Sequence, residues 1–298
     1  MFAYKKIKNM LSKYRLYYLL FVPLIWLILS SCEDPVPFDY VRETYVQAFL
    51  IVDEPIQNIA VMYSQPLNEV YNYNKSMVRD ADVKIIGEDQ EFVLSLSTDS
   101  STGYFYADTS YKVKPKTKYK IEIKLKDGTV LTGETLTPDR FSWASKPPDL
   151  LQYPKDTLNL PQLDSVKLMW TKVPSVEFYL ISIKCTDTLD YGKYLTPPTN
   201  EGNRRIERPW NQDNWFKETT NWALIPNTQT PIVWNIHKWY GRHQISIYAP
   251  DYNYLRWFIQ VLAKNQYDPL LGSITGGIGV FGSASVIRND YFLIKNQQ

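Results

Sequence analysis

The sequence predicts a mostly all-β protein made of two tandem sandwiches, on three observations. Short segments alternate apolar and polar residues with the two-residue period of a half-buried strand. A proline-rich, aperiodic stretch interrupts that pattern midway along the chain. Only one segment, near the C-terminus, carries a helical period.

The first group of alternating segments follows residue 40: YVQAFLIV (45–52), NIAVMYS (58–64), ADVKII (81–86), EFVLSLS (91–97) and GYFYAD (103–108). The clearest is KYKIEIKLKDGTVLTGETL, in which Tyr119, Ile121, Ile123 and Leu125 share one face. Lys118, Lys120, Glu122, Lys124 and Lys126 occupy the other. Asp127-Gly128 then supplies a hairpin turn, because glycine tolerates the positive φ that such a turn needs. One buried and one wet face is the mark of an antiparallel sheet. About seven short strands in about a hundred residues predict an immunoglobulin-like sandwich over residues 41–140.

Residues 141–163 are rich in proline and read as a linker. The second β-domain is placed at 164–298. SVKLMWTKV puts Val166, Leu168 and Trp170 on one face, and EFYLISIKC follows with Tyr179, Ile181, Ile183 and Cys185. A tryptophan-bearing strand followed by an apolar, tyrosine-bearing one resembles the fibronectin type III pattern. GRHQISIYA points Ile245, Ile247 and Ala249 the same way. Residues of about 186–240 exceed what such a sandwich needs and read as an aromatic insertion. A helix is predicted over about 251–264, capped by Asp251 after Pro250, with Tyr254, Phe258, Val261 and Leu262 as its apolar stripe.

The N-terminus decides the compartment. Lys5, Lys6, Lys8, Lys13 and Arg15 precede an apolar run, Leu16 to Leu29, that is short for a membrane span and interrupted by Pro23. The run ends in Leu29-Ser30-Ser31-Cys32, which resembles the bacterial lipobox: an aliphatic residue, two small residues and the cysteine. Residues 1–31 are therefore read as a signal peptide cut between Ser31 and Cys32, with lipid on the Cys32 thiol and residues 32–40 as a tether. Several acyl chains on one residue hold a protein stably, where a single chain does not. The competing reading is an uncleaved signal anchor. Glu33 and Asp34 follow directly, and in Bacteroidota lipoproteins acidic residues at this place often direct export to the cell surface. The predicted address is the outer membrane, facing outward.

Composition bounds the function. The full chain has 33 Lys and Arg against 31 Asp and Glu. Loss of residues 1–31 removes five of the bases and no acid, leaving 28 against 31 and a net charge of −3. No basic field remains to draw nucleic acid. There are two cysteines; with Cys32 lipidated, Cys185 has no partner for an intrachain disulfide and reads as a buried small hydrophobe.

No motif argues for catalysis, a metal or a cofactor. Gly277-Ile-Gly279-Val-Phe-Gly282 matches the dinucleotide fingerprint in letters, but SASVIRNDYFLI after it is strand-like, so a glycine bend in a closing strand is preferred. His237 and His243 stand without ligand-spaced partners, and His243 shares the inward parity of Ile245. Asp80 and Asp82, the conceivable pair for glycoside chemistry, read as solvated edge charge. Six of nine tryptophans fall between residues 210 and 257. Trp234 and Trp257 are assigned to the core. Trp210, Trp215 and Trp222, set among polar residues, either pin the insertion or face a protein, glycan or peptide. Asp156-Thr157-Leu158, Asp164-Ser165-Val166 and Asp187-Thr188-Leu189 resemble the Bacteroidota O-glycosylation pattern, with Thr157, Ser165 and Thr188 as acceptors.

LSSCEDP, the β-rich first half, GRHQISIYAPDYNYLRWF and ITGGIGVFGSAS together resemble a Bacteroidota lipoprotein family of unassigned function. Its members are typically encoded beside TonB-dependent receptors with carboxypeptidase-regulatory-like domains. The resemblance implies a non-enzymatic accessory protein at the outer membrane, working through contacts with such a receptor or another surface complex. A surface lipoprotein that delivers a glycan or peptide to a transporter is the alternative, and a degradative enzyme the third reading.

Overall fold

A computed structural model describes residues 40–66, 68–98, 103–156, 167–186, 191–202, 206, 220–263 and 272–295. The chain divides into Met1–Val41 and Arg42–Gln298, and the architecture that follows is that of the second unit. The predicted signal peptide (residues 1–31), Cys32, Glu33, Asp34, Thr157, Ser165, Thr188, Trp210 and Trp215 lie outside the described residues.

The strands open with β1 (Thr44–Ile51) and β2 (Ala60–Tyr63), followed by a one-turn helix, α1 (Tyr73–Ser76). Then come β3 (Asp82–Gly87), β4 (Gln90–Leu96), β5 (Tyr104–Phe105), β6 (Lys118–Lys124) and β7 (Val130–Leu136). The second half holds β8 (Trp143–Ser145), β9 (Leu150–Gln152), β10 (Lys167–Trp170), β11 (Tyr179–Cys185), β12 (Thr220–Ile225), β13 (Gln229–Pro231) and β14 (Gly241–Pro250). Helix α2 (Tyr252–Ala263), β15 (Ile274–Thr275) and the 17-residue β16 (Ile278–Ile294) close the chain.

The fold is mostly β and sandwich-like, as the alternation predicts. Tyr119, Ile121, Ile123, Leu168, Trp170, Tyr179, Ile181, Ile183, Ile245, Ile247 and Ala249 are all buried. Three sheets form. The largest runs β12-β11-β14-β16-β1-β2, with β9 also on β16. A six-stranded sheet runs β15-β7-β6-β3-β4-β5, and a three-stranded one β13-β10-β8.

Among the described residues, two large hydrophobic cores lie against the large sheet, with a small cluster of Ala60, Met62 and Met77 beside β2. The first joins Val46, Ala48, Leu50 and Phe281 to Ile85, Phe92, Tyr119, Ile121 and Leu131 of the six-stranded sheet. The second joins Ile181, Ile245, Ile247 and Tyr291 to Leu168 and Trp170 of the three-stranded sheet. Strand β16 feeds both. Its first half pairs in parallel with β1, from Tyr45 opposite Ile278 to Ile51 opposite Ala284. Its second half pairs antiparallel with β14, from Pro250 opposite Ala284 to Gly241 opposite Leu293.

Glycine makes the parallel junction possible. Gly279 has φ +120°, and a Cβ there would run into the Val46 carbonyl. At Gly282 a Cβ would lie 2.8 Å from the Tyr254 nitrogen. The GxGxxG letters thus serve close approach of a strand and a helix to β16, as the bend reading anticipates.

Helix α2 covers the other face of the large sheet. Phe49 of β1 packs on Tyr254 with ring centroids 4.4 Å apart, and Tyr45 on Trp257 at 5.6 Å. Trp257 is only half-buried, so it belongs to this outer layer rather than to a core, as its helical position dictates.

Candidate functional site

Strand β14 ends at Pro250 while β16 runs on past it, so β16 is left with unpaired edge groups at Phe281 and Ser283. The first turn of α2 supplies them. Asp251 takes the Ser283 N–H on Oδ1 at 3.0 Å and gives its own N–H to the Ser283 carbonyl at 2.8 Å. The same Oδ1 accepts the Tyr254 N–H at 2.8 Å, which is the helix cap the sequence predicts. Oδ2 accepts Thr135 Oγ1 of β7 at 2.6 Å, and Thr135 in turn lies 2.7 Å from the Ser283 hydroxyl. Asn253 Nδ2 donates to the Glu134 and Phe281 carbonyls at 2.8 and 2.9 Å. Asp251 and Asn253 therefore tie α2, β7 and β16 together at one point. Burial pushes the Asp251 carboxyl above its ordinary range, and the donors around it oppose that shift.

An open cleft of about 770 Å³ lies beside this knot. Leu136, Pro138, Pro174 and Tyr252 give it apolar walls. Its rim carries two ion pairs, Lys118–Glu134 at 2.6 Å and Lys116–Asp139 at 2.6 Å. Leu136 and Tyr252 are 59% and 70% exposed. Exposed apolar side chains thus stand inside a charged rim, beside the Asp251 carboxylate and Asn253.

The histidines sit elsewhere, in the second core. His243 is buried opposite Cys185 in the β11–β14 register, with Nδ1 2.9 Å from the Gly241 carbonyl. His237 Nε2 lies 2.5 Å from the Tyr291 hydroxyl, and the two imidazoles are 5.5 Å apart. Tyr291 stacks on His243 at 5.4 Å. Burial lowers the His243 pKa to about 4 and pushes the Tyr291 hydroxyl well up. Among the described residues no group of three or more His, Cys, Asp or Glu side chains is placed to hold a metal. Cys185 is buried and joins no disulfide among the described residues. Asp80 and Asp82 are exposed at the entry to β3.

Trp222 of β12 is half-buried, 5.2 Å from the ring of Tyr248 and 5.2 Å from that of Phe258. It holds β12 against β14 and α2 in an aromatic row that continues through Tyr254 to Phe49. Trp210 and Trp215 lie outside the described residues, so the three tryptophans are not seen together. Of the cleft residues, sequence reasoning names Asp251 as a helix cap and Lys118 on the wet face of its strand, but not the cleft they line. Asp251 carries a local signal, a capping aspartate after proline, but Thr135 and Ser283 are 148 residues apart and have none.

A family model for a domain of unknown function, DUF4249, matches residues 34–289. The chain belongs to the DUF4249 family. Comparison with curated proteins finds no match. The matched span of this DUF4249 protein takes in both cores, the cleft and most of β16. No helix among its described residues is long and apolar enough to cross a membrane.

Proposed function

We propose that this DUF4249 protein is a lipid-anchored accessory protein of the outer membrane, held by acyl chains on Cys32 and acting without catalysis. It works through contacts with a TonB-dependent receptor or another surface complex. The observation that carries the reading is Leu29-Ser30-Ser31-Cys32, directly after a basic start and a short apolar run. The cleft supports it, since exposed apolar walls within a charged rim suit a protein partner. The test is a mild-detergent pull-down of the native lipidated protein, read by mass spectrometry. Enrichment of an outer-membrane barrel supports the reading; a preparation that yields no barrel and no surface partner removes it.

A second reading, delivery of a glycan or peptide to a transporter, is favoured by the open Tyr252 ring beside Asn253 in the cleft. Titration against glycan and peptide panels separates the two. Binding lost in Tyr252→Ala, or in Trp210→Ala with Trp215→Ala, while the fold persists, selects the second.

A further inference from the structure

We infer that the loop Asn68–Tyr73 is a membrane-contact surface, resting on the lipid leaflet that holds the acyl chains of Cys32; this deepens the lipid-anchor reading and rests on it. Val70 is 93% exposed and Tyr71 beside it 61%. The loop that shows them is well fastened. Gln65 Nε2 donates to the Asn72 carbonyl at 2.6 Å and Gln65 Oε1 accepts the Asn72 N–H at 3.0 Å. Asn72 Oδ1 caps α1 through the Lys75 N–H at 3.1 Å. The Tyr71 hydroxyl is held 3.3 Å from Ser76 Oγ and 3.7 Å from Met62 Sδ, which leaves the ring turned outward. A chain pinned at this many points presents its apolar side chains as a fixed feature.

The loop also stands where the anchor leads. It departs from the end of β2, where the Ser64 N–H bonds the Glu43 carbonyl and the Glu43 N–H bonds Ser64 Oγ, each at 2.9 Å. Arg42, the first residue of the folded unit, lies 4.1 Å over the Tyr63 ring. Ten peptide units join Cys32 to Arg42 and reach at most about 35 Å. The tether therefore enters the folded unit beside the segment that leads to Val70 and Tyr71.

Size decides between a bilayer and a protein as the occupant. Two side chains fall far short of the roughly 800 Å² that each partner gives to a stable protein interface. They suffice as a second, weak membrane signal added to covalent lipid. A tyrosine with its hydroxyl tied back and its ring exposed has the amphipathic form that settles at headgroup level.

The test places a nitroxide label at Val70→Cys in the full lipidated protein, reconstituted in phosphatidylethanolamine–phosphatidylglycerol vesicles. Val93→Cys, at an exposed position on β4, is the reference. Cys185 is buried and stays out of reach of the label. Power saturation should show the label at 70 several-fold less accessible to a water-soluble nickel chelate than the label at 93, with oxygen accessibility raised. Equal nickel access at both sites in protein that floats with the vesicles overturns the contact and leaves the anchor standing. Protein that does not float at all overturns the anchor, and the contact with it.

Discussion

The first core is dominated by aliphatic side chains, with Val46, Leu50, Ile59, Ile85, Ile121 and Ile123 around Phe92, Tyr104 and Tyr119. The second sets seven rings among its aliphatic side chains: Tyr153, Trp170, Tyr179, Tyr191, Trp234, Tyr240 and Tyr291. It also encloses both imidazoles of the chain. Both rest on one sheet, and β16 is common to them. The contrast teaches that one half is held by non-directional burial. The other adds to such burial the geometry of packed rings and the buried His243 imidazole.

The largest effect is expected at the strand the cores share. Gly279→Ala forces a side chain into the Val46 carbonyl at φ +120° and should cost more than about 4 kcal/mol, since the backbone of β1 has to move. Urea denaturation checks it; a loss under about 1 kcal/mol means that the parallel junction does not organise the first core.

The next effect separates the cores by pH. His243 has a folded pKa of about 4 against an ordinary 6.5, because burial disfavours the imidazolium. The unfolded chain then binds more protons between these values, so stability is intact above about 6.5 and falls as pH drops toward 4. The full loss is about 3 kcal/mol. Asp251, whose carboxyl is pushed upward, works in the opposite sense at acid pH. His243→Phe keeps a ring against Tyr291 and should flatten the loss, which isolates the imidazole. Denaturation midpoints at pH 7, 5.5 and 4.5 for both proteins measure it.

Asp251→Ala tests the join between the halves. It leaves the Tyr254 and Ser283 N–H groups and the Thr135 hydroxyl without their acceptor and should cost about 2 kcal/mol. Hydrogen exchange should rise first at the start of α2. The smallest effect is a gain confined to the first half. Glu88 and Asp89 form the two-residue turn between β3 and β4 with φ of +51° and +60°. Asp89→Gly relieves one of them and should stabilise by about 0.5–1 kcal/mol, visible as a small rise in Tm.

Much of this fold was legible because its signal is local. Tyr119, Ile121 and Ile123 alternate with lysines, and Leu168, Trp170, Ile181 and Ile247 lie at the parity that buries them. The cap at Asp251 and the bend in ITGGIGVFG were legible for the same reason. What escaped was pairing across the chain. GGIGVFGSASVIRNDYFLI, residues 276–294, reads as the close of the second half, yet its residues 278–284 pair with β1, more than two hundred residues earlier. Parallel pairing leaves no turn between the partners, so nothing local announces it. The cleft was hidden likewise, since Leu136 and Tyr252 each look ordinary on their own element. Lipidation, by contrast, is a reading of sequence alone.

Mass spectrometry of the N-terminal peptide of the protein purified from native membranes tests that reading most directly. A chain that begins at Cys32, with residues 1–31 gone and acyl groups on its first residue, is the predicted result. A chain that begins at Met1, or a Cys32 that carries no lipid, contradicts it.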